Sequence, residues 1–424
     1  MEYYDLINKR SKLLGTNVPT FYDEPVQIVK GKGVWLWDQT GKKYLDCYNN
    51  VPHVGHCHPK VVESIYKQSL TLNTHTRYLH EGIVNYLDRL LKTFSSSLNT
   101  AIMTCTGSEA NDIALRMAEI STGKKGIICT DHTYHGNTYY VSQLSNSNPP
   151  PGNLEKNFKF VETPDSYREK ESLGIDSNSF AEKVEKLILN LNKSKYGFAG
   201  IIICPFFANE GFPDLPDECL IKLENIVRKY NGLIIADEVQ PGFGRLGSHM
   251  WAHQKMKINP DIVTLGKPMA NGYPVGAVVS SSEILNKFRK QYSYFNTFGG
   301  NPVACAASMA VLDILEEEEL IQNAYTVGLY AKKGLKQLSS KYDFIGDVRG
   351  RGLFFGAELV INKKTKKPAT EFAKRIVNEM KNHGILINRL GKNYNTLKIR
   401  PPMPFSKNNA NFLINTLETV FNDN

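Results

Sequence analysis

The chain has 424 residues, 41% of them hydrophobic and 22% charged, enough for a large core and two or three domain-sized units. Lysine and arginine outnumber the acids 51 to 42, but the densest basic run, Lys363-Lys-Thr-Lys-Lys367, reads as a solvated loop and argues against a nucleic-acid surface. No apolar run approaches the roughly 18 residues of a bilayer span, and seven scattered cysteines form no Cys-x-x-Cys pair.

The start, Met1-Glu-Tyr-Tyr-Asp-Leu, lacks a secretory pattern, so the expectation is a soluble cytoplasmic protein with reduced thiols and no membrane partner. Residues up to about 25 are polar and read as an irregular arm. Residues 26–38 alternate like two strands joined by a glycine turn. Residues 59–72 begin with a proline suited to a first helical turn and continue at helical spacing. Residues 110–118 read as a helix that starts near Ser108, and a strand at 126–130 follows. The stretch Asn148-Pro-Pro-Pro-Gly152 and the polar residues through Ser179 read as an elaborate surface loop. Buried strands are expected at 200–204, 232–235, 262–265 and 275–279, with helices between several of them. A long helix from 303 to about 317 leads to a mixed terminal segment with a strand at 352–359. Strands alternating with helices imply an α/β fold with a mostly parallel, doubly wound sheet.

Two of these strands end in reactive groups. Gly232-Leu-Ile-Ile-Ala-Asp237 stops on an acid, and Asp261-Ile-Val-Thr-Leu-Gly-Lys267 stops on an amine. Ligands of open α/β sheets sit beyond the carboxyl ends of the strands, so the two groups can converge on one pocket. A lysine there can form an imine with an aldehyde. Pyridoxal phosphate is the aldehyde with a use for both groups, because a carboxylate keeps its pyridine nitrogen protonated. Thr106-Gly-Ser108, just before the 110–118 helix, supplies a glycine and a hydroxyl where a phosphate can meet a helix start. Other patterns fail. Gly350-Arg-Gly-Leu-Phe-Phe-Gly356 has its last glycine one place late for a dinucleotide fingerprint. His53, His56, Cys57 and His58 crowd one loop without distant partners, so no metal is expected.

Seven motifs stand in order: Tyr44-Leu-Asp-Cys-Tyr-Asn-Asn-Val-Pro-His-Val-Gly-His-Cys-His-Pro59, Thr106-Gly-Ser-Glu-Ala-Asn-Asp112, Tyr134-His-Gly136, Asp237-Glu-Val-Gln240, Gly266-Lys267, Asn296-Thr-Phe-Gly-Gly-Asn-Pro302 and Ile399-Arg-Pro-Pro402. Together they resemble the class III aminotransferases of the fold-type I pyridoxal-phosphate enzymes, from about residue 25 to about residue 405. The resemblance implies a large cofactor-binding domain at 61–304 and a smaller α+β domain built from 1–60 and 305–424. It implies a homodimer with shared active sites. Lys267 would carry the cofactor as a Schiff base and Asp237 would bind its pyridine nitrogen. Val239 would pack on one ring face and Tyr134 on the other, with His135 beside it, and Gln240 would reach the phenolic oxygen. Gly107 and Ser108 would hold the phosphate, joined by Thr297 from the neighbouring subunit.

Arg400 would grip a substrate carboxylate as a bidentate fork, with Tyr48, Asn50, Arg77 and Tyr78 at the substrate mouth. The first expectation is transfer of an amino group between a small amine or amino acid and a keto acid or aldehyde. The run Asn49-Asn-Val-Pro-His-Val-Gly-His56 also resembles the ethanolamine-phosphate phospho-lyase branch, which has lysine at the position of Arg400. The alternative is therefore a lyase acting on a small phosphorylated, phosphonate or hydroxylated amine. One departure bears on the choice. The family's Glu-Pro-x-Gln-Gly-Glu is here Cys204-Pro-Phe-Phe-Ala-Asn-Glu210, so the acid that gates an active-site arginine falls on Asn209 unless the register slips to Glu210.

Overall fold

A computed structural model describes residues 3–16, 18–152, 154–169 and 177–423. Its largest sheet has seven strands in the order Thr100–Thr104, Gly276–Ser280, Ile262–Leu265, Leu233–Asp237, Phe198–Ile203, Gly126–Thr130, Phe158–Val161. Gly276–Ser280 runs antiparallel to both neighbours, and the other pairings are parallel. A parallel sheet needs cover on both faces, and alternation along each strand supplies two apolar faces. Ile127, Ile202 and Ile235 join one core with Ala110, Ile113 and Leu115 of the helix Gly107–Thr122. Ile128, Ile201, Ile203 and Ile234 join another with Val184 and Ile188 of Ser177–Lys193 and Leu223 and Val227 of Glu218–Lys229.

Two smaller sheets flank this layer. Ile28–Lys32, Trp35–Asp38 and Lys43–Asp46 form an antiparallel set, and Lys43–Asp46 then pairs in parallel with Ile385–Leu386 from the other end of the chain. Ile345–Arg351, Phe354–Leu359, Thr396–Ile399 and Asn388–Leu390 form the third sheet, all antiparallel. The helix Pro302–Glu317 connects the layers with eleven buried residues.

The sequence expectations need three corrections. The N-terminal arm carries a helix, Tyr3–Leu14, which buries none of its residues and so shows no core-facing stripe to read. The strands Thr100–Thr104 and Phe158–Val161 were not anticipated, because short edge strands of mixed polarity carry little periodicity, and neither was the helix Glu81–Leu91, although its buried Ile83, Tyr86 and Leu90 stand at helical spacing. The expected loop through Ser179 holds Phe158–Val161 and the start of Ser177–Lys193, while residues 153 and 170–176 of it lie outside the described residues. Among the described residues no helix is long and apolar enough to cross a membrane.

Candidate active site

The strand Leu233–Asp237 ends on a carboxylate that is 5% exposed. A buried carboxylate needs donors for its oxygens. Oδ1 of Asp237 accepts the Val239 amide at 2.9 Å. Oδ2 accepts from Asn111 Nδ2 at 3.0 Å and from His135 Nδ1 at 2.7 Å. Asn111 is itself fixed, its Oδ1 taking the Thr264 hydroxyl at 2.6 Å. Thr264 stands opposite Asp237 on the neighbouring strand, so sheet register and the site share one bond network.

That neighbouring strand, Ile262–Leu265, runs on through Gly266 into a short 3-10 turn, Lys267–Ala270. Gly266 is a packing requirement: a Cβ there would lie 3.2 Å from Gly107 Cα and 3.3 Å from Val239 Cγ1. A Cβ on Gly107 would come within 2.9 Å of Val239 Cγ2. Three residues far apart in sequence are thus pressed into one floor. Lys267 is exposed to the cavity that it lines. Burial pushes its ammonium below the usual lysine value; Asp237 opposes the shift and Arg400 adds to it.

The helix Gly107–Thr122 points its N-terminus at the same cavity. Thr106 Oγ1 accepts the Glu109 amide at 3.1 Å, and Glu109 Oε2 returns to the Thr106 amide at 3.2 Å, a capping box. These bonds leave the Gly107 and Ser108 amides free for an anion, where the helix dipole favours one. Gly136 lies against Ser108 at φ +140°, and a Cβ there would sit 2.5 Å from Ser108 Oγ.

One cavity of about 300 Å³, within the range of small-molecule sites, joins these groups. Of the expected residues it is lined by Gly107, Ser108, Tyr134, His135, Asp237, Val239, Gln240 and Lys267. His135 reaches it mainly as the partner of Asp237. Cys204 and Asn209, the positions of the departure from the family pattern, also line it.

Three expected substrate residues and one cofactor residue stand elsewhere. Arg400 is buried behind the wall: Nε and Nη2 donate to the Tyr48 carbonyl at 3.3 and 3.2 Å, and Nη1 donates to Gln240 Oε1. Its fork is occupied, which is not the free carboxylate grip that was expected. Asn50 is 2% exposed, and its Nδ2 has no partner among the described residues. Tyr78 is a surface residue stacked on His75 at 5.1 Å between ring centroids. Thr297 is exposed in an adjacent concavity with Glu109, Phe295 and Phe298, which shares Cys105 with the main cavity. Both project from loops on the outside of their own chain. The loop histidines take separate partners: His53 bonds Arg245 and the Phe243 carbonyl, and His56 bonds Asp46.

Lys398 is the residue that sequence reasoning overlooked. It lies two places before Arg400, and strand alternation puts both on one face. Its Nζ donates to Gln240 Oε1 at 3.1 Å, the oxygen that Arg400 also uses, so Gln240 turns its Nε2 to Asn209 at 3.0 Å. Burial pushes the Lys398 ammonium well down, and Arg400 and Lys267 push it further. Arg400 is lowered to about 10 by burial. Among the described residues none of Lys267, Lys398 and Arg400 has a carboxylate within ion-pair distance.

The family profile described as aminotransferase class-III matches residues 19–421. An alanine–glyoxylate aminotransferase 2-like protein of Drosophila melanogaster is 39% identical, over 98% of this chain and 87% of its own length. An ethanolamine-phosphate phospho-lyase homolog of Caenorhabditis elegans is 35% identical, over 98% of this chain and 93% of its own. A solved phospholyase from Arthrobacter, in complex with phosphoethanolamine, superposes with a TM-score of 0.96 at 39% identity, covering 99% of this chain and 100% of that one. With an amine, a braced carboxylate and a helix start around one cavity, and a family match over nearly its whole length, this chain belongs to the class III aminotransferase family of pyridoxal-phosphate enzymes.

Proposed function

We propose that this chain is a lyase that removes phosphate from a short phosphorylated amine, using pyridoxal 5′-phosphate. The single observation that carries this reading is the state of the cations behind Gln240. Arg400 is engaged with Tyr48 and Gln240, Lys398 shares Gln240, and among the described residues neither has a carboxylate within ion-pair distance. A site short of negative charge favours a dianionic substrate. Amino-acid transamination instead calls for an arginine fork free to take a carboxylate. The names of the relatives agree in part, since two of the three reported above are phospho-lyases.

The residues present fit the cofactor. The Asp237 carboxylate, with three donors on its own oxygens, suits a protonated pyridine nitrogen. The Gly107–Ser108 helix start suits its phosphate, and the tight Gly107–Val239–Gly266 floor suits a flat ring, since a methyl on either glycine would be overcrowded. When bound, pyridoxal phosphate supplies an electron sink that makes the proton on the amine-bearing carbon removable. Lys267 is the base for that proton, its ammonium lowered by burial. Asn111 and His135 hold Asp237 in place. Lys398 and Arg400 favour the departing phosphate, and an arriving dianion restores charge to Lys398. The net reaction consumes water and releases phosphate, ammonia and an aldehyde, with no keto acid taking part.

Amino transfer is the second reading, favoured by the arginine at 400; it requires the guanidinium to leave Tyr48 and Gln240. In either case the reading includes a cytoplasmic homodimer, with residues 1–60 and 305–424 as the smaller unit and 61–304 as the larger. Thr297 and Tyr78 lie near the exposed Leu79, Phe295 and Phe298, a patch that a second copy would cover. The test is incubation of the cofactor-loaded protein with phosphoethanolamine and no keto acid. Equal amounts of phosphate and ammonia over many turnovers are expected. Products that keep their phosphate and form only when a keto acid is added would reverse the order of the two readings.

A further inference from the structure

Asn209 lines the active-site cavity, and the reaction above gives it no part. Its main chain is held on both sides: the amide donates to Glu210 Oε2 at 2.9 Å, and the carbonyl accepts the Gly391 amide at 3.2 Å. Its side chain ends a row of bonds that begins at the two buried cations. Lys398 and Arg400 both donate to Gln240 Oε1. Gln240 Nε2 then donates to Asn209 Oδ1 at 3.0 Å, and Asn209 Nδ2 donates to the Tyr134 carbonyl in a long bond of 3.5 Å.

The direction of this row is fixed by its ends. Ammonium and guanidinium groups carry donors only, so Gln240 has to turn its oxygen to them and its nitrogen to Asn209. Asn209 answers with its oxygen, which sends its own nitrogen toward Tyr134, whose carbonyl can only accept. The second Nδ2 hydrogen of Asn209 has no acceptor among the described residues. A carboxylate at this position would accept from Gln240 but set a bare oxygen against the Tyr134 carbonyl. It would also place a negative charge one amide away from Lys398 and Arg400. We infer, resting on the lyase reading, that Asn209 is a specificity-determining residue. As a neutral amide it carries the positive polarity of Lys398 and Arg400 to the cavity without neutralising it, so the site selects an amine that bears a dianionic group.

The packing holds this row in place and adds no opposing charge. The Phe354 ring lies 5.3 Å from Lys398 Nζ and 5.3 Å from the Arg400 guanidinium carbon. The same ring packs on Phe206 at 5.0 Å and on Phe212 at 5.5 Å between centroids. Phe206 stands three places before Asn209, so one aromatic cluster seats both the cations and the turn that carries the amide. An aromatic face attracts a cation and leaves its charge intact. The next acid in the chain, Glu210, lines a separate space behind the site, with Oε1 on the Thr130 hydroxyl at 2.6 Å.

The test uses the cofactor-loaded protein at about pH 8, where phosphate is mainly doubly charged, and its colour shows that each variant folds. Inorganic phosphate is titrated by calorimetry, and ethanolamine, which lacks the phosphate, by the change in cofactor absorption. Asn209→Asp should weaken phosphate binding about tenfold or more, and the apolar isostere Asn209→Leu about threefold. Neither should weaken ethanolamine by more than about twofold. Unchanged phosphate affinity in Asn209→Asp, or equal losses for phosphate and ethanolamine, would overturn the inference and leave the lyase reading standing. A wild type that binds no phosphate would instead remove the lyase reading, and the inference with it.

Discussion

Lys398 and Arg400 are two residues apart and meet on one oxygen of Gln240, 158 and 160 positions away in the chain. Burying two such groups with no carboxylate in ion-pair contact among the described residues is unfavourable for the protein alone, which is why the arrangement points to an anionic ligand. It also has a pH signature. The Lys398 ammonium lies below the ordinary lysine value of 10.5 when folded, so between the two values the unfolded chain binds more protons. Stability therefore rises as pH climbs toward 10.5. Urea unfolding of the cofactor-free protein should show this rise as the pH approaches the ordinary lysine value of 10.5 from below, and Lys398→Met should reduce it. Equal slopes for the two proteins would place the Lys398 charge elsewhere. Asp237 and Lys267 were legible in the sequence because each ends an apolar run. Lys398 was not, because its role comes from a long-range contact, although its spacing of two from Arg400 was a usable signal.

Among the elements, the helix Gly107–Thr122 connects fold and site most directly. Its capping box fixes the first turn, so the Gly107 and Ser108 amides proposed to take a phosphate are held by Thr106 and Glu109. Thr106→Ala should cost about 1 kcal/mol of stability, the usual value of such a cap. Cofactor affinity should fall by about fivefold if the same energy is lost from the binding-competent turn. Titration of the apoprotein with pyridoxal phosphate measures this, and unchanged affinity would mean that the cap does not shape the site. The strands Leu233–Asp237 and Ile262–Leu265 and the helix itself were readable, since each buries a long regular face. The edge strand Phe158–Val161 and the N-terminal helix Tyr3–Leu14 were not. The strand has only four residues, two of them buried, and the helix has none buried.

Across the whole molecule, the parallel pairing of Lys43–Asp46 with Ile385–Leu386 brings together segments about 340 positions apart, a contact that no local pattern stated. Assembly is the other property at this scale. Tyr78, Leu79 and Phe298 are large apolar side chains left in water, beside a threonine expected at a neighbouring phosphate. Light scattering should give a particle of twice 47.7 kDa, and Leu79→Glu should shift it toward one chain and lower cofactor retention. A wild-type particle of single-chain mass would remove Thr297 from the site.

The most direct measurement is the absorption spectrum of the bound cofactor while phosphoethanolamine is consumed without any keto acid. The account predicts that the starting spectrum returns once the substrate is exhausted, with phosphate far in excess of protein. Permanent conversion of the cofactor to its amine form after a single equivalent, with phosphate still attached to the product, would contradict it.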